Sequence, residues 1–211
     1  MSRTLATSPR RLAVAAAVAA LAVGTSSGIA AAAGTPNGYD ETVFDGRTSL
    51  GEIVHQIGAD ELWAAGYTGE GVDVAVIDTG VAPVSGLIDQ EVFIGPDLSF
   101  EGGIDDVAGL DTYGHGTHMA GIIAARTPGA DPLDPQPGDL IGVAPDARII
   151  SLKVGDNTGA ADVTQVIAAI DWVVQHRDHD GLNIRVLNLS YTTTSEQSAE
   201  LDPLSICARG R

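Results

Sequence analysis

Cysteine is almost missing from this chain. Cys207 is the only one in 211 residues, so no internal disulfide can close and the fold must rest on its core or on bound ions. Aromatic residues are scarce as well, at 4%. Basic residues are few: 11 Lys and Arg stand against 28 Asp and Glu, for a formal net charge of −17. That balance argues against nucleic acid or an anionic membrane surface as partner. The acids are scattered rather than clustered and read as a source of solubility. A membrane-spanning run is lacking too, because the apolar stretch Leu12–Val23 falls short of the about 20 residues a spanning helix needs.

That stretch has another meaning. Arg3, Arg10 and Arg11 precede it, and the small residues Ala30–Ala33 follow it. Basic region, apolar region and A-x-A exit are the order of a secretory signal peptide. Residues 1–33 are therefore expected to be removed before Gly34. The export route, Sec or twin-Arg, stays open, because Pro9 sits where the twin-Arg pattern has Ser or Thr. All 28 acids lie beyond the leader, so the mature chain is more acidic still.

Residues 34–48 are polar and read as a flexible start. Leu50, Ile53, Val54, Ile57, Leu62 and Trp63 have helical spacing, interrupted at Gly58. Val72–Ile77 is rich in β-branched residues, as in a parallel strand covered on both faces. Residues 81–113 read as loop. A helix is expected over His115–Arg126, a strand over Arg148–Val154, and an amphipathic helix from Asp162 to His176. That helix has Val163, Val166, Ile167, Ile170 and Val173 on one face, with Asp162 and Gln165 placed for a capping box. Ile184–Ser190 reads as a third strand. The alternation predicts an α/β fold, a parallel sheet flanked by helices. Sites in such sheets lie beyond the carboxyl ends of the strands, where Asp78 and Ser190 fall.

Two motifs carry chemistry. V-A-V-I-D-T-G at Val74–Gly80 ends a strand on Asp78, and G-H-G-T-H-M-A-G at Gly114–Gly121 sets His115 at a helix start. D-T-G is also the shape of an aspartic-protease motif, but those enzymes are β-rich and need two copies. His115 and His118 could pair on a metal, yet the H-E-x-x-H spacing and its Glu are missing. Gly66, Gly69 and Gly71 precede their strand, whereas a dinucleotide-binding glycine loop follows one.

In V-A-V-I-D-T-G, preceded by G-x-G-V-x, and in G-H-G-T-H, the chain resembles the subtilisin-like serine proteases, the subtilase family. The resemblance runs from about Ile57 to Leu204. It implies a subtilisin-like sheet, truncated, with Asp78 orienting the imidazole and His115 as general base. It also implies that L-N-L-S-Y places Leu189, Ser190 and Tyr191 against an extended polypeptide substrate. Relatives have Gly where Thr192 stands, and its loss would crowd that substrate. The resemblance requires no cofactor. Calcium is common in the family and stays open here; Asp105, Asp106 and Asp111 are no more than suggestive, and no metal ligand set is readable.

Other parts of the family pattern are not matched. The nucleophile belongs to G-T-S-x-A, and the only G-T-S is Gly24-Thr25-Ser26, inside the leader. No segment matches the one that carries the oxyanion Asn. The expected organisation is a signal peptide (1–33), a mature N-terminal segment (34–56), a partial subtilase catalytic domain (57–204) and an aberrant tail (205–211). The expected function is a secreted, extracellular serine endopeptidase by ancestry, inactive as given, with no membrane association once the leader is gone. The alternative is a non-catalytic exported fragment or pseudoprotease that at most binds peptide. An open apolar edge at Ile184–Ser190 and poor solution behaviour are expected as well.

Overall fold

Continuous β-branched sequence places strand β1 (Asp73–Asp78) at the centre of the sheet, with all six residues buried. A computed structural model describes residues 50–87, 92–136, 138–192 and 198–209. The expected leader and the residues up to 49 lie outside them. Strands β2 (Phe93–Asp97), β3 (Arg148–Lys153) and β4 (Ile184–Asn188) complete a four-stranded sheet in the order β2-β3-β1-β4. Every pairing is parallel, and Asp78 stands opposite Lys153.

Helices cover both faces, because alternate residues of a strand point to opposite sides. Ala75 and Ile77 of β1 and Ile150 and Leu152 of β3 pack on Val166, Ala169, Ile170 and Val173 of one helix, α4 (Val163–His176). Val74, Val76 and Ile149 pack on Ala120 and Ala124 of another, α3 (His115–Ala124). The α/β architecture expected from the sequence is thus present. Two short helices, α1 (Leu50–Gln56) and α2 (Ala59–Ala64), meet at Gly58 and build a smaller cluster. There Val54, Ala59 and Trp63 are buried with Ala130 and Ile141. Among the described residues no helix is long and apolar enough to cross a membrane.

The start of α4 is as the sequence predicts. Asp162 accepts from Thr164 N at 2.8 Å, and Gln165 Oε1 accepts from Asp162 N at 2.8 Å. Asp162→Ala is expected to lower the midpoint of thermal unfolding by a few degrees. Asp162→Ser, which keeps an acceptor, should lower it less; circular dichroism on heating checks this.

Two segments differ from expectation. Residues 93–97 form strand β2 instead of loop. Gly95 and Pro96 interrupt the apolar pattern, and β2 pairs with β3 at only three positions with a register shift. Residues after Leu204, read as a tail, are part of a helix, α5 (Pro203–Arg209), whose Leu204 and Cys207 pack on the α4 core. Among the described residues β4 is an edge strand, and its Val186 is exposed.

Candidate active site

Two parallel strands and one helix head define the site. Val76 pairs with Asn188, so β1 and β4 leave the sheet at the same end, at Asp78 and Ser190. Helix α3 delivers His115 there as its first residue. The helix must come very close to β1, and Gly116 allows it: a Cβ at that position would overlap Gly80 O and lie 3.1 Å from Asp78 Cβ. Gly114, at φ 105°, makes the turn that precedes His115 in a conformation that favours glycine.

His115 Nδ1 lies 2.7 Å from Asp78 Oδ1 and 2.9 Å from Oδ2. A carboxylate can only accept, so Nδ1 is the nitrogen that carries the proton. Thr79 N donates to the same Oδ1 at 2.8 Å. The Asp78 side chain is only 3% exposed and that of His115 39% exposed. The acid is therefore enclosed while the ring keeps an open edge, on which Nε2 is left to accept a proton. Among the described residues no serine hydroxyl is hydrogen-bonded to that nitrogen. His118 is exposed on the same helix.

The head of α3 is tied down from outside the helix. Gly114 gives no side-chain cap. Asp111 replaces it, accepting from Gly114 N at 2.7 Å and from Thr117 N at 2.8 Å. Burial would push Asp111 up. The hydroxyl of Thr117, the amides of Gly114 and Thr117, and the hydroxyl of Thr79 more than offset this and hold its carboxyl below the ordinary value. Beneath it Lys153, whose side chain is fully buried, pairs with Glu101 at 2.9 Å. Lys153 Nζ also donates to Thr79 O, Leu110 O and Thr112 Oγ1. Hydrogen bonds from Thr112 and then Lys153 hold the Glu101 carboxyl below its ordinary value.

The expected substrate residues are at the right end of the sheet, but not all face outward. Leu189 and Tyr191 turn onto the α4 core. Leu189 lines a cleft of about 440 Å³ with Ile170, Val186 and Ala208. Ser190 Oγ is within hydrogen-bond distance of the Asn188 side chain, 2.9 Å from Nδ2 and 3.2 Å from Oδ1. Among the described residues the buried Tyr191 hydroxyl has no hydrogen-bond partner. Burial first, then the nearby Asp202 and Asp162, push this phenol above its ordinary value. Among the described residues no group of three or more His, Cys, Asp or Glu side chains converges to hold a metal.

This geometry, an acid at the end of a parallel strand facing a histidine at a helix head, defines a site of acid–base type. The Subtilase family profile matches residues 69–208, and the chain belongs to that family. It is 34% identical over 140 residues to the minor extracellular protease Epr of Bacillus subtilis (strain 168), covering 64% of this chain and 18% of that protein. It is 32% identical to subtilisin DY of Bacillus licheniformis, over 68% of this chain and 47% of the relative. It is 35% identical to subtilisin E of Bacillus subtilis (strain 168), over 65% and 31%. The chain thus spans less than half the length of each of these relatives.

Proposed function

We propose that the chain carries the acid–base pair of a secreted subtilisin-like serine endopeptidase, with Asp78 orienting and His115 as general base toward polypeptide substrates. The observation that carries this is the His115 Nδ1 contact with both oxygens of an enclosed Asp78 carboxylate, with the opposite edge of the ring open. An imidazole held in that way presents a basic Nε2 to whatever approaches from solvent. Family membership and the extracellular relative support the peptidase and secretion parts of the reading. Leu189, Ser190 and Tyr191 are the residues proposed to meet the substrate backbone, at the strand end nearest the pair. A second reading, a peptide-binding protein without catalysis, is favoured by the lack of a serine on Nε2 among the described residues.

A peptidyl chloromethyl ketone tests the first reading, since it alkylates a nucleophilic imidazole beside a bound peptide. Mass mapping of the treated chain is expected to find His115 modified well ahead of His55, His118, His176 and His179. Asp78→Asn should abolish the preference. Equal modification of all five histidines would refute the assignment.

A further inference from the structure

We propose that Asp111, acting through the hydroxyl of Thr79, is the positioning residue that fixes His115 against Asp78. This deepens the acid–base reading and rests on it. Asp111 touches neither member of the pair. It holds Thr79, the residue that follows Asp78, and the amides of Gly114 and Thr117 on either side of His115.

Five donors converge on this one carboxylate. Oδ1 accepts from Thr79 Oγ1 at 2.8 Å, Gly114 N at 2.7 Å and Tyr113 N at 3.1 Å. Oδ2 accepts from Thr117 N at 2.8 Å and Thr117 Oγ1 at 2.6 Å. Thr79 Oγ1 in turn accepts from Gly116 N at 2.9 Å. The link therefore runs unbroken from Asp111 through Thr79 to Gly116. Thr79 is the residue after Asp78, and Gly116 is the residue after His115. A hydroxyl both donates and accepts, which is what a joint between an acceptor on one side and an amide on the other requires. Thr117 Oγ1 adds a second tie by accepting from Ala82 N at 2.9 Å.

Asp111 is itself braced on both sides. Leu110 O and Thr112 Oγ1, its chain neighbours, both accept from the buried Lys153 Nζ, at 2.8 and 3.1 Å. Lys153 stands opposite Asp78 in the β1–β3 register. Strand, loop and helix head are thereby referred to one rigid frame. A negative charge in front of the α3 N-terminus is also favoured by the helix dipole. Groups that orient a reacting pair in this way act by preorganisation.

The experiment reads geometry at His115 and needs no turnover. In the purified full chain with ¹⁵N-labelled histidine, the Nδ1 proton bound to Asp78 gives a downfield resonance, assigned by its loss in His115→Gln. Asp111→Asn puts an amide where two acceptor oxygens are needed. Thr79→Val removes the hydroxyl at nearly constant shape, and Thr79→Ser restores it. The expected result is loss of the resonance in Asp111→Asn and Thr79→Val with the circular dichroism spectrum kept, and its retention in Thr79→Ser. Retention in either of the first two, or loss in Thr79→Ser, overturns the proposal. Collapse of the circular dichroism spectrum in both disruptive variants overturns it too, since these residues would then serve folding at large. If the chloromethyl ketone ignores His115 while the resonance behaves as expected, the peptidase reading fails and the positioning role stands.

Discussion

Lys153→Met is expected to lose a large part of the chain's stability, although methionine nearly matches lysine in length. The Lys153 side chain is fully buried, and its ammonium satisfies Thr79 O and Leu110 O, the Thr112 hydroxyl and the Glu101 carboxylate. A thioether supplies none of those donors. The orphaned, buried carbonyl of Thr79 alone costs about 1–3 kcal/mol, against a total folding stability of about 5–15 kcal/mol. Lys153→Arg keeps the charge but must fit a planar group into a full site and should recover only part. Urea denaturation followed by fluorescence of Trp63 and Trp172 measures the loss; a midpoint within error of the parent would contradict it. The same pair predicts an acid response. Glu101 is held below its ordinary value of 4.5. A depressed folded-state value stabilises the fold above the unfolded value, and that contribution disappears as pH falls through the folded one. Asp111 acts in the same direction. Stability is therefore expected to drop on acidification from about pH 4.5 downward, and the Glu101 share of the drop should shrink in Lys153→Met.

No serine of the chain is expected to take up a fluorophosphonate, and no peptide is expected to be hydrolysed above the rate in buffer. General-base catalysis needs a nucleophile on Nε2, and the one G-T-S of the sequence lies in the expected leader. Ser190, at the same end of the sheet as Asp78, is engaged with Asn188 instead. In enzymes of this type, removal of a triad member leaves roughly 10³–10⁴ over water, from oxyanion hole and binding. Among the described residues none is matched to the family's oxyanion Asn, so for the chain as tested even that remainder is expected to be absent. Stoichiometric labelling of any serine, lost in His115→Ala, would establish a working nucleophile and reverse the expectation.

What the sequence made legible follows from how local each signal is. Strands β1, β3 and β4 announce themselves by short apolar runs, β-branched throughout much of β1, and α4 by its periodicity and its Asp162–Gln165 box. Asp78 and His115 stand in short motifs, and the structure brings them into contact. Strand β2 was hidden because Gly95 and Pro96 break its pattern, and its placement comes from β3 rather than from its own residues. Helix α5 was hidden by its brevity; its Leu204 and Cys207 matter only once α4 is there to receive them. Lys153 falls within the strand expected over Arg148–Val154, but nothing local marks its role, since its partners come from 41 to 74 residues away. Asp111 was noticed only as a carboxylate suggestive of calcium. Its hydrogen-bond saturation depends on Thr79, 32 residues earlier, and that distance is invisible to any local reading.

The central place of β1 has a consequence for how the chain is born. Its Asp73 meets Arg148 across 75 residues and Asn183 across 110. Chains are synthesised at about 5–20 residues per second, so β1 waits several seconds on the ribosome for either neighbour. Asp78 and His115 are only 37 residues apart, yet the strand that carries the acid has no strand to pair with until β3 emerges. Long-range parallel pairing of this kind closes slowly. The acid–base pair is thus assembled late, and an apolar strand stays unpaired in the interval.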